Sequence, residues 1–133
     1  SARKLINLDA SSERSHRTII LAYSGLTSVA RAQGNLQEEL SLEYEILRVR
    51  EELYLRNARS GERLYQYLLS LVKVAKLLKR ASESLREQAI PRPAYRDPSY
   101  VINRLRTLVK RAVDAKQIPK DQIAFISKLT EQL

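Results

Sequence analysis

Eleven basic side chains fall into three sets whose spacing suits contact with phosphate. Arg3, Lys4, Arg14 and Arg17 lie near the amino terminus, Lys73, Lys76 and Arg80 follow at steps of three and four, and Arg104, Arg106, Lys110 and Arg111 crowd a third stretch. Steps of three and four keep side chains on one side of a helix, so the second set reads as a cationic edge. Sixteen arginines stand against eight lysines, a bias that favours bidentate contact with phosphate oxygens. Catalysis has little to draw on. Cysteine is absent, His16 is the single histidine, and Glu43, Glu51 and Glu52 belong to a stretch that has structural reasons to be charged. A carboxylate metal site in a helical bundle wants a Glu-x-x-His pair on each of two helices, and a chain with one histidine can supply only Glu13-x-x-His16; there is no glycine-rich phosphate loop. The chain is therefore expected not to be an enzyme, with no catalytic residues, no metal, no cofactor and no small-molecule substrate.

The formal charge is +9 over 133 residues, enough to neutralise on the order of 15 Å of duplex DNA. Its placement is uneven. Residues 1–34 carry five cations against two acids, 35–60 four against six, 61–89 six against three, and 90–133 nine against four. One acidic helix is thus embedded in basic surroundings. The seven tyrosines sit mostly at core spacing, which leaves no stacking platform for single strands. Nothing suggests a helix-turn-helix that would read base edges, so contact with a duplex backbone is the stronger nucleic-acid expectation.

The elements that must position these cations are helical. Three glycines, four prolines and 44% hydrophobic residues, with abundant Leu, Glu, Arg, Ala and Gln, predict an all-α single-domain bundle of four to five helices. A basic amino-terminal arm over residues 1–11 precedes a bundle domain over 12–133. No apolar run approaches the roughly 20 residues of a membrane span, and the amino terminus lacks the apolar core of a signal peptide. The helices are expected near 12–32, 35–59, 62–89, 99–116 and 120–132.

Between Leu64 and Leu78 the third helix is apolar on almost every side, so it must be surrounded by the others. Its one polar line is Gln66, Ser70, Lys73, Lys76, Arg80 and Ser84. The first helix, with Ser12 as its candidate N-cap, is rich in small residues: Ala22, Ser24, Gly25, Thr27, Ser28, Ala30 and Ala32. These suit either a tight helix contact within the fold or close approach to nucleic acid or a neighbouring subunit. Gly34-Asn35 reads as a C-terminal stop followed by an N-cap, with Glu38 as capping-box partner. The second helix carries a wide apolar face, and its charges are expected mostly to face solvent or another subunit. Ser60-Gly61 either breaks the chain into a hairpin or kinks one long helix. A turn is favoured because it lets both apolar faces be buried. Ile90 to Pro98 is a proline loop, expected to be extended, that ends in an Asp97 N-cap with Pro98 at N1. On the next helix Val101, Ile102, Leu105, Leu108, Val109, Ala112 and Val113 are expected inward. The last helix should turn in Ile123, Ile126, Leu129 and Leu133.

A small, basic, helical, cysteine-free chain that begins with an arm bearing Arg3 and Lys4 resembles the major coat (capsid) proteins of filamentous DNA viruses of hyperthermophilic archaea. The resemblance is one of overall character, and no diagnostic motif carries it. It implies a virion location and a coat subunit stacked in a helical filament around double-stranded DNA held in A-form. It also implies partner copies of the same chain, with or without a second related coat protein as a heterodimer. The alternative from a different class is a cytoplasmic helical adaptor whose basic face docks an acidic protein.

Overall fold

A computed structural model describes residues 9–95 and 97–133, with side chains from Glu13 onward. Among these the chain is all-helical, in six helices rather than four or five: α1 (Asp9–Ala32), α2 (Leu36–Arg56), α3 (Gly61–Arg80), α4 (Glu83–Ala89), α5 (Pro98–Asp114) and α6 (Lys120–Glu131). The start of α1 corrects the expected boundary. Residues 9–11 belong to the helix, and Ser12 lies within it instead of capping it. The remainder of the expected arm, with Arg3 and Lys4, lies outside the described residues.

The turn after α1 forms as its residues dictate. Gly34 takes φ +68°, a left-handed conformation that costs glycine nothing, and the Asn35 side chain accepts the Glu38 N–H at 3.1 Å. The proline loop differs from expectation. Arg92 to Ala94 make a turn closed by the Ala94 N–H on the Pro91 carbonyl at 2.9 Å, so the chain reverses there instead of running extended. Asp97 then caps α5 as expected, accepting from the Tyr100 N–H.

The extra helix arises because the expected 62–89 segment breaks at Ala81-Ser82. The Ser82 hydroxyl accepts the Leu85 N–H at 3.2 Å and so starts α4. The Arg86 guanidinium reaches back to the Leu78 and Ala81 carbonyls at 3.1 and 2.8 Å, giving the last carbonyls of α3 the partners a helix end lacks. No glycine or proline marks this break, so the apolar rhythm runs through it.

The α3 helix is central. Leu64, Leu68, Leu71, Val74 and Leu78 are all buried in the single core cluster, joined by Leu40 and Leu47 from α2, Leu105 and Leu108 from α5, and Ile126 from α6. α2 and α5 lie against α3, α6 packs on both α3 and α5, α4 covers α2, and α1 lies along α2. Tyr67 of α3 stacks on Tyr54 of α2 with ring centroids 5.4 Å apart. Val113 is the exception on α5, about half exposed where burial was expected. It sits on the edge of the apolar stripe.

Two helices joined by a turn at 57–60, instead of one kinked helix, is the arrangement found. Gly61 opens α3 after Ser60, whose hydroxyl accepts the Arg63 N–H. A Cβ on Gly61 would come within 2.5 Å of the Gln117 backbone carbonyl in the α5–α6 connection. The Gln117 amide, for its part, donates to the Ala58 carbonyl at 2.6 Å. Gly61→Ala should therefore push two connections apart and cost about 1–3 kcal/mol, read as a lower urea midpoint with an unchanged denaturant slope.

Candidate nucleic-acid interface

The three basic sets are treated differently by the fold. On α3 the cationic edge survives as drawn: Lys73, Lys76 and Arg80 are all exposed, on the side opposite the buried row of Leu64, Leu68 and Leu71. Lys79 is exposed beside them, and its ammonium donates to the Leu133 carbonyl at the end of the chain. The sequence reading missed Lys79 because its position, four residues after Ala75 and seven after Val72, falls in line with buried apolar residues.

On α5 the set divides. At about 100° per residue Arg104 and Arg106 point roughly 160° apart, so Arg104 and Arg111 share one flank while Arg106 and Lys110 share another. Arg106 and Lys110 are exposed and border a groove with Ser127, Thr130 and Glu131 of α6. Arg104 turns inward, its Nε donating to the Tyr67 hydroxyl at 3.4 Å, and that hydroxyl donates to Glu51 at 3.1 Å. Burial pushes the Tyr67 phenol up to about 12, against the lowering effect of Arg104, so at neutral pH it keeps the proton it gives to Glu51. A cation held in this way is spoken for within the bundle. Of the four, it is the one least suited to an external phosphate.

On α1, Arg14 is exposed and Arg17 pairs with Glu13 one turn before it at 3.4 Å. Glu13 also meets Arg63 of α3 at 3.4 Å. Arg17 thus borders a groove whose lining also holds the acids Glu13 and Glu62. His16 is likewise engaged, hydrogen-bonded to Glu52 of α2. Arg3 and Lys4 lie outside the described residues.

The acidic second helix is where the structure departs most from the sequence reading. Its charges were expected mostly to face outward, yet Glu39 and Glu43 are buried to 5% and 4% exposure. Arg31 reaches them from α1 at 2.8 and 3.6 Å. An antiparallel hairpin turning at Gly34-Asn35 puts the last charged residue of α1 beside the first turns of α2. Behind it lies a small polar cavity of about 110 Å³ lined by hydroxyls of α1 and α3 together with Glu43, Arg50 and Lys73. Burial raises the Glu43 carboxyl above its usual range, opposed by Lys73, Arg31 and Arg50 and reinforced by Glu39, while burial lowers Arg50.

An acid whose folded pKa is raised binds its proton more readily in the native state, so the stability it contributes is present at acid pH. That stability is lost as pH rises from the ordinary glutamate value of about 4.3 through the raised one. Glu43→Gln should therefore gain on the parent as pH rises to 7, with the two converging below pH 4. Urea midpoints of both proteins across that range are the check.

With His16 engaged by Glu52, no group of three or more metal-ligating side chains gathers among the described residues. What the arrangement can do chemically is present exposed cations on α3 and on α5 of an apolar bundle. No helix of the described residues is long and apolar enough to cross a membrane. No protein-family model, curated protein or solved structure matches this chain.

Proposed function

We propose that this chain is a structural coat protein that packages double-stranded DNA through its phosphates, without reading sequence, in a helical filament of copies of itself. A second related chain can share the filament, and the place of action is the virion. The observation that carries the reading is the exposed line of Lys73, Lys76 and Arg80 on α3, with Arg106 and Lys110 exposed on α5, in a chain of net charge +9. Exposed cations on two separate helices of a small bundle give a subunit several points of contact with phosphate.

Phosphate contacts release counterions, so affinity should fall steeply with salt and hardly vary with sequence. The test is a salt titration of the full chain against two unrelated duplexes. Parallel, steep lines support packaging. An absence of binding at low salt, or strong preference for one duplex, would overturn it and leave docking to an acidic protein as the better account of the same cations.

A further inference from the structure

Three helices turn polar residues toward one gap. Ser24 and Arg31 on α1, Glu43 and Arg50 on α2, and Ser70 and Lys73 on α3 line it, each pair separated by the seven or three residues that keep side chains on one face of a helix. Both α1 and α3 pack on α2, and the short side chains of α1 leave the space between them as the pocket of about 110 Å³. At about 30 Å³ per water it has room for about four water-sized groups, the number of oxygens in a phosphate or sulfate.

The lining sets three cations against one acid. Arg31 is held by Glu39 and Glu43. Neither Arg50 nor Lys73 has a carboxylate at ion-pair distance among the described residues. Arg50 donates through a single nitrogen to the Gln66 carbonyl and Oε1, at 3.2 and 2.9 Å, which leaves the rest of its fork unused. Ser70 is 2% exposed, and its hydroxyl has no hydrogen-bond partner among the described residues. A buried hydroxyl in that state is costly unless something in the pocket accepts its proton. A metal cation would meet three like charges here, and an apolar ligand would strand the polar lining.

We propose that this pocket binds one tetrahedral oxyanion, a phosphate or sulfate group, held by Arg50 and Lys73 and by a proton from the Ser70 hydroxyl. The proposal goes beyond the coat reading and does not depend on it; Lys73 alone is common to both. Glu43 is the one group opposed to an anion. Burial raises its carboxyl above the ordinary range, with Lys73, Arg31 and Arg50 opposing and Glu39 reinforcing, and an arriving dianion favours the protonated form further. Oxyanion binding should therefore be coupled to proton uptake by Glu43.

The test is a sodium sulfate titration of the full chain, at ionic strength held constant with chloride, followed by nuclear magnetic resonance. The Ser24, Thr27 and Ser70 amides should shift saturably together, with a Kd of roughly 0.1–5 mM. Ser70→Ala removes a hydroxyl that holds nothing within the fold, so the urea midpoint without sulfate should not fall, while the Kd should rise about tenfold. Arg50→Gln should raise it at least about tenfold, and Lys76→Ala, one turn along and outside the lining, should leave it unchanged. Sulfate keeps its charge across this range, so binding that tightens as pH falls from about 7 to about 5 reports the proton on Glu43. Glu43→Gln should bind more tightly than the parent at pH 7 and lose that dependence. No saturable shift up to about 100 times the lower Kd limit, or a Kd that Ser70→Ala and Arg50→Gln both leave unchanged, would overturn the site and leave the pocket to water. A second arm adds a short duplex: a backbone phosphate as the occupant shifts the same amides and is displaced by sulfate, whereas a free ion as the occupant leaves them unmoved by duplex. Duplex binding without a sulfate site sinks this inference alone, and a sulfate site in a chain that binds no duplex sinks only the coat reading.

Discussion

Leu71→Asp should abolish the cooperative unfolding transition and most of the helical circular dichroism signal at pH 7. Leu71 is 2% exposed on the central helix, in the cluster to which α2, α5 and α6 all contribute. An ionised carboxylate there is stripped of water by its apolar neighbours, and the effective penalty for burying such a charge is several kcal/mol. Losing the leucine adds about 2–5 kcal/mol more, against a total stability of roughly 5–15 kcal/mol for a domain of this kind. Leu71→Ala separates the two contributions. It should stay folded with a lowered melting temperature, and an aspartate variant as stable as the alanine one would show that the site is wetter than its burial implies.

The second large effect concerns duplex binding. Removing one cation that touches a phosphate should lower the slope of log affinity against log salt by about 0.9. Deleting residues 1–8 removes Arg3 and Lys4 and should lower it by roughly two. Replacing Lys73, Lys76 and Arg80 together with alanine, a good helix former at exposed positions, should lower it by about 2.7. With both changes, the fall in affinity between 50 and 200 mM salt should shrink on the order of 10²- to 10³-fold relative to the parent. Arg104→Ala is the internal contrast. Its guanidinium is held by Tyr67, so its removal should leave the slope alone while lowering stability. Slopes that move equally for Arg104 and for the α3 line would mean that the interface runs over a different face.

How much of this was written in the sequence can be judged helix by helix. The all-α class, the two hairpin turns and the centrality of α3 followed from local physics: a helix apolar on nearly every side has to be enclosed, and Gly34-Asn35, Ser60-Gly61 and Asp97-Pro98 carry their own capping chemistry. The cationic edge of α3 was legible for the same reason, since a three-and-four step fixes a face whatever the neighbours do.

What only the tertiary structure decided is how each helix is rotated and what meets it. The break before α4 depends on Arg86 folding back onto the α3 carbonyls, a contact no local signal announces. Arg104 looks like its neighbours on a helical wheel, and it is withdrawn from the surface because Tyr67 and Glu51 happen to converge there from α3 and α2. Glu39 and Glu43 read as solvent-facing charges, but antiparallel packing brings Arg31 over them and closes them in. The uncharged run of α1 is plain in the sequence, yet only its position outside α2 shows that half of it lies bare. Periodicity belongs to one helix at a time, whereas the burial of a charge is a property of every element that packs around it.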